Sequence, residues 1–181
     1  MQPIYLLKDI NDERGNSLMT DETISADVSS DEIIHRYIDM IYRLALSQTK
    51  SKEYADDVVQ DVFLKYLQSD KKFESEEHIK AWLIRVTINC SKKVFASSWF
   101  KKTVPLSEEL AFETKEQGEA YYAVMDLPRK YRTVIYLYYY ENLSVKEIAE
   151  DMSVSEGTVK SQLYRGRELL KQKLKEGGEY V

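Results

Sequence analysis

The sequence predicts an all-α protein of two small helical domains joined by a flexible linker, the second being a helix-turn-helix domain. Three observations carry this prediction. Apolar residues recur at helical spacing through most of residues 31–95. The segment TVPLSEELAFETKEQGE (103–119) interrupts that rhythm with a proline, a glycine and five glutamates. The stretch Ser144–Leu174 then reads as a short helix, a tight turn and a longer helix.

Taken in order, residues 1–27 carry six acidic and two basic side chains with little periodicity, and read as a mobile tail. The first domain is expected over residues 28–97. Its first helix, DEIIHRYIDMIYRLALSQ, places Ile33, Ile34, Tyr37, Ile38, Ile41, Leu44 and Ala45 on a broad apolar face. A second helix runs from near Ser51 to Leu67, and SDKKFESEE (69–77) is a polar loop. The third helix, from about Glu77 to Phe95, has its apolar stripe on Ile79, Leu83, Val86, Cys90 and Val94. The linker is placed at 98–123, the second domain at 124–176 and a short tail at 177–181. Leu127-Pro128 suits a helix start because proline is tolerated in the first turn. The following YRTVIYLYYYEN is read as helix despite its tyrosines, which alone would suit a strand.

Composition narrows the function. Of 181 residues, 26 are basic and 31 acidic, a formal net charge of −5 that gives no general affinity for polyanions. The acid is concentrated in 1–27 and 98–123, which leaves basic surfaces free elsewhere. A single cysteine, Cys90, excludes an internal disulfide and a thiolate metal cluster, and its place on an apolar stripe suits a packed core thiol. No apolar run reaches the length of a membrane span and no signal-peptide pattern opens the chain, so a cytoplasmic protein without membrane insertion is expected.

The middle of the chain carries two surfaces of opposite sign. On the helix 51–67, Ala55, Val58, Val59, Val62 and Tyr66 should face the core. The other side presents Glu53, Asp57, Gln60, Asp61 and Leu64, flanked by Asp56, Phe63 and Leu67. Acid with a few apolar anchors suits docking of a basic helix, although a solvated face is the plainer alternative. Between His78 and Ser107 there is no acidic residue but six basic ones. Arg85, Asn89 and Lys92 fall together on the helical projection, bordered by Trp82 and Lys93. Cations for phosphate, an amide for base edges and aromatics for stacking compose a nucleic-acid surface.

The terminal segment is the sharper signal. Ser144 with Glu147 forms a capping box, and Ser155 is placed to cap the next helix. In that helix Val159, Leu163, Gly166 and Leu170 share one stripe, while Lys160, Ser161, Tyr164 and Arg165 lie opposite. A second helix with a basic polar outer face is the arrangement that enters a DNA major groove.

With these segments in view, the chain resembles the extracytoplasmic-function (ECF) class of bacterial sigma factors, the small promoter-specificity subunits of RNA polymerase. The resemblance runs from about Ile33 to Leu174 and rests on three motifs in order. ADDVVQDVFLKYL (55–67) resembles the helix that binds the polymerase clamp, FESEEHIKAWLIRVTINCSKKV (73–94) the segment that opens and reads the −10 element, and LPRKYRTVIYLYYYENLSVKEIAEDMSVSEGTVKSQLYRGRELL (127–170) the domain that reads the −35 element. The resemblance implies that Asp56, Asp57, Gln60 and Asp61, supported by Phe63, contact core RNA polymerase. It implies that Arg85, Asn89, Lys92 and Lys93 meet the non-template strand of the −10 element, with Trp82 largely packing beneath it. The loop Lys71–His78 would receive an unstacked base, with Phe73 in the aromatic position. Thr158, Lys160, Ser161, Tyr164 and Arg165 would meet the −35 element, and Arg167, off that face, would have a phosphate or structural role. The linker would thread the polymerase cleft. Partners so implied are core RNA polymerase, promoter DNA and an anti-sigma factor.

The runner-up is a stand-alone helix-turn-helix regulator that binds DNA without polymerase; the helical 31–95 block with its acidic docking face argues against it. An enzyme is the third class. The chain has no glycine-rich phosphate loop and no Ser/His/Asp arrangement, and its only histidines are His35 and His78. No catalytic residue, cofactor or metal is expected; a carboxylate site from Asp56, Asp57 and Asp61 would need ligands converging from elsewhere.

Overall fold

The computed structural model describes residues 29–96 and 121–177, and every regular element among them is a helix. The described residues fall into two compact units, 29–96 and 121–177. The N-terminal tail and all but the last three residues of the expected linker lie outside them. At that end the linker is shorter than expected. Residues 121–125 are helical, and Tyr121 is buried.

The first unit holds three helices: α1 (Ser30–Thr49), α2 (Lys52–Leu67) and α3 (Glu76–Ala96). Each start is capped by a serine. Ser29 accepts from the Glu32 N–H, Ser51 from the Tyr54 N–H and Ser75 from the His78 N–H. α1 ends at Lys50 in the left-handed conformation (φ 58°), which lets its N–H reach the Leu46 carbonyl before the chain turns back. Each helix packs on the other two, so each must bury a wider arc than one stripe. On α1 the arc takes in Met40 and Leu46, while Ile34 sits at its edge and Ile38 is exposed. On α3 it comprises Ile79, Leu83, Ile84, Thr87, Ile88, Cys90 and Ser91, and the expected Val86 and Val94 are only half-buried. Burial raises the Cys90 thiol above its usual pKa, as befits a packed, unreactive group.

A polar tie joins α1 to the start of α3. Glu76 accepts from Arg36 Nη1 at 2.7 Å and from the Tyr37 hydroxyl at 2.8 Å, and Arg36 Nη2 also donates to Glu32 at 2.9 Å. The hydrogen bond from Arg36, then that from Tyr37, holds the Glu76 carboxyl below the usual carboxylate range.

The second unit holds the helical residues 121–125, α4 (Arg129–Tyr139), α5 (Val145–Met152) and α6 (Glu156–Gly177). Pro128 precedes α4 and offers no side-chain cap. The buried Arg132 performs a related task from inside, donating from Nη1 to the carbonyls of Met125 (2.6 Å) and Leu127 (3.0 Å). Burial lowers its pKa to about 10, so it stays charged at neutral pH. α5 opens on the capping box: the Glu147 N–H donates to Ser144 Oγ at 3.2 Å, and Glu147 Oε2 accepts from the Ser144 N–H at 2.7 Å. Ser153, left-handed at φ 55°, then turns the chain sharply, and Ser155 Oγ accepts from the Thr158 N–H at 3.1 Å to begin α6. α6 crosses α4 at Gly166, where an added Cβ would stand 2.9 Å from Ile135 Cγ1.

Two predictions test this framework. Because the folded-state pKa of Glu76 is depressed, its stabilisation is complete above the ordinary glutamate value of about 4.3 and is lost as pH falls through the depressed one. Glu76→Gln should therefore lower the melting midpoint of the first unit at pH 7 by about 5 °C, and the gap to wild type should narrow toward pH 3. Gly166→Val should cost the second unit about 2 kcal/mol by overpacking. Gly166→Ala, which also gains about 1 kcal/mol of helix propensity, should fall between; urea titration reads both.

Candidate functional site

α2 presents an exposed strip on the side away from α1 and α3. Glu53, Asp56, Asp57, Gln60, Asp61, Leu64 and Leu67 are all exposed, the two leucines by 54% and 55%. At 1.5 Å rise per residue the strip is about 20 Å long. Asp61 has a weak exposed pair with Lys65 at 3.7 Å. Phe63 departs from expectation. It is only 7% exposed, because the arc of α2 covered by two neighbouring helices reaches it. The apolar anchors of the strip are therefore Leu64 and Leu67, and Phe63 supports it from below.

α3 carries the second surface. Arg85, Asn89 and Lys92 are exposed at successive turns, with Lys93 beside them. This row spans about 10 Å. At its N-terminal end Trp82 is half-buried and meets Phe73 edge-on, with ring centroids 5.7 Å apart. The structure thus gathers Phe73, Trp82, Arg85, Asn89 and Lys92 along one helix and the loop before it. The loop acids, which would repel phosphate, are partly accounted for. Glu76 turns inward to Arg36 and Tyr37, while Glu74 is exposed, 3.9 Å from His78 Nδ1.

The third surface is the first half of α6. Lys160, Ser161, Tyr164 and Arg165 are exposed, Tyr164 by 64%, and Val159, Leu163 and Gly166 face the core. Lys160 has an exposed pair with Glu156 at 3.7 Å. Thr158 is half-buried; its hydroxyl lies 2.9 Å from Ser155 Oγ and its carbonyl accepts from the Ser161 hydroxyl, so it shapes the helix start. Arg167 stands apart. Its Nε donates to the Tyr139 hydroxyl at 2.9 Å and its guanidinium lies over the rings of Tyr138 and Tyr139, 5.4 and 5.7 Å from their centroids. These contacts tie α6 to the end of α4.

Two supporting interactions are not legible in the pattern. Arg132 reads as one more polar residue in a basic turn, and the Tyr37–Glu76 bond joins residues 39 apart in the chain. Among the described residues no cluster of three or more His, Cys, Asp and Glu side chains could hold a metal ion, and no helix is long and apolar enough to cross a membrane.

Known proteins share this organisation. Residues 33–100 match the Sigma-70 region 2 family and residues 117–170 match Sigma-70, region 4. The ECF RNA polymerase sigma factor SigM of Bacillus subtilis (strain 168) is 31% identical over 153 residues, spanning 78% of this chain and 92% of its own length. The RNA polymerase sigma factor SigV of the same organism is 32% identical over 136 residues, spanning 72% and 81%. The fold is shared with the sigma factor RpoE, solved in complex with the anti-sigma factor NepR from Bartonella quintana (TM-score 0.66, 22% identity, 80% of this chain and 96% of that one). With both regions matched in order, and a relative above 30% identity covered almost end to end, the chain belongs to the ECF family of RNA polymerase sigma factors.

Proposed function

We propose that this alternative sigma factor, which directs RNA polymerase to promoters, works through three surfaces with separate tasks. The strip Asp56, Asp57, Gln60, Asp61, Leu64 and Leu67 docks on core RNA polymerase, with Phe63 beneath. Phe73, Trp82, Arg85, Asn89, Lys92 and Lys93 take the −10 element. Lys160, Ser161, Tyr164 and Arg165, on a helix start shaped by Thr158, read the −35 element. One observation carries the −10 assignment: the exposed row Arg85–Asn89–Lys92 continues directly from the paired rings of Phe73 and Trp82. That sequence of cations, an amide and aromatics suits a single strand whose backbone is neutralised while a base stacks.

The energetics call for a division of labour. Extruding a base costs on the order of a few kcal/mol, and contacts to the released strand offset it. A protein of net charge −5 gains little from phosphate neutralisation alone, so docking on polymerase supplies the local concentration that makes weak DNA contacts sufficient. The match of residues 33–100 to Sigma-70 region 2 sets aside a stand-alone regulator, which would bind its site without polymerase. We place the action in the cytoplasm, where polymerase and promoter meet, with no cofactor. An anti-sigma factor, as found on the fold relative, is a further expected partner.

The direct test is binding of the purified chain to bacterial core RNA polymerase followed by promoter-specific transcription in vitro. Asp57→Arg should abolish core binding and leave the circular-dichroism helix signal unchanged, since Asp57 is exposed; loss of helix in the variant would refute that placement. Arg165→Ala should weaken promoter use by about 1–3 kcal/mol in a manner that depends on the −35 sequence. Equal loss on every promoter would reduce Arg165 to a phosphate contact.

A further inference from the structure

The loop between α2 and α3 is anchored at both ends. Where it leaves α2, the Tyr66 carbonyl accepts from the Ser69 N–H at 3.1 Å. Where it enters α3, Glu76 is bonded to Arg36 and Tyr37 of α1. Between these points Phe73 has no helix to set its rotamer, and its position comes from two other rings. Tyr66 lies 5.9 Å from Phe73 and 6.2 Å from Trp82, centroid to centroid, and Phe73 and Trp82 are 5.7 Å apart. Each ring therefore contacts the other two, at separations and tilts that suit aromatic packing. Tyr66 is half-buried and sits apart from the exposed docking strip of α2. Burial raises its phenol pKa, and a hydrogen bond with the Ser30 side chain at the start of α1 holds that rise back.

We propose that Tyr66 is a positioning residue for strand capture: its ring fixes Phe73 and Trp82 in the arrangement that receives an unstacked base, while Tyr66 itself meets neither DNA nor polymerase. The inference rests on the reading that the loop and α3 take the −10 strand. Its logic is preorganisation. A base leaves the duplex at a cost, and the receiving rings recover more of it when they need no ordering of their own at that moment. Removing the Tyr66 ring leaves Phe73 with Trp82 alone, on a loop free to sample other rotamers. The loss should then appear in promoter opening and in discrimination at the captured position, not in docking.

The test uses holoenzyme reconstituted with Tyr66→Leu, which keeps apolar volume without an aromatic plane, and Tyr66→Phe, which keeps the ring. Permanganate reactivity of the melted −10 region would be followed on duplex promoters differing at single −10 positions. Tyr66→Phe should behave as wild type. Tyr66→Leu should give about tenfold fewer open complexes and a narrower spread between promoters, with unchanged core affinity, an intact helical signal and a melting midpoint lowered by only a few degrees. An equal loss on all promoters, a full set of open complexes, or a Tyr66→Leu protein that has lost its helical signal would each overturn the proposal. Phe73→Ala, run in parallel, separates the two levels. If it opens promoters as wild type does, base capture by this loop fails as a reading; if it is defective while Tyr66→Leu is not, only the positioning role of Tyr66 falls.

Discussion

The Glu76 carboxylate accepts from the Arg36 guanidinium at 2.7 Å and from the Tyr37 hydroxyl at 2.8 Å, and both bonds join the first turn of α3 to α1. Much of the first unit depends on that junction. It fixes where α3 begins, and with it the phase of every exposed residue on that helix, since a one-residue slip turns a helix face by 100°. It also draws one of three glutamates in the loop region inward, away from the surface that carries Arg85, Asn89 and Lys92. A charged group at a helix start that is bonded twice within the fold adds little to the field outside it, and it interacts favourably with the helix dipole there.

The same helices must hide one side and display the other, and the division differs between them. α2 buries Ala55, Val58, Val62 and Phe63 and shows carboxylates with two leucines. α3 buries a wide arc that includes Thr87, whose hydroxyl donates to the Leu83 carbonyl at 2.7 Å, and shows cations. Opposite charges on adjacent helices of one small unit suit the proposed division, with a basic protein surface met on one side and nucleic acid on another. A net charge near zero over the unit hides both. In the second unit the partition is tighter. At Gly166 and Arg132 an ordinary side chain would not serve, at one because α4 comes too close and at the other because carbonyls ahead of α4 need a buried donor.

Much of this is legible in the sequence. The caps at Ser144 and Ser155, the capping box, the tight turn between those two helices and the stripe Val159–Leu163–Gly166–Leu170 are all local, set within a few residues, and the structure forms them where the pattern places them. The all-helical class and the three-helix block followed from periodicity, which is also local. What escaped the pattern depends on a third element. Phe63 read as a flank of the docking face because a single projection cannot show that two helices cover α2. Val86 read as core for the converse reason. Arg167 lay off the reading face in the projection, but only the fold shows it bonded to Tyr139, 28 residues earlier. The roles of Tyr37, Glu76 and Arg132 likewise exist only between segments, and no spacing rule announces them.

The clamp on Arg167 has a consequence for how this protein responds to ionic strength. On the proposed reading, counting basic residues along α6 would assign Arg167 to the DNA, together with the counterion its phosphate contact would release. Its bond to the Tyr139 hydroxyl and its place over two rings hold that guanidinium against the end of α4 instead of leaving it to extend from α6. Each phosphate contact contributes about 0.9 to the slope of log affinity against log salt. If α6 reads the −35 element as proposed and Arg167 stays on Tyr139, the salt slope should be shallower by about that amount than a count of the basic residues on α6 suggests.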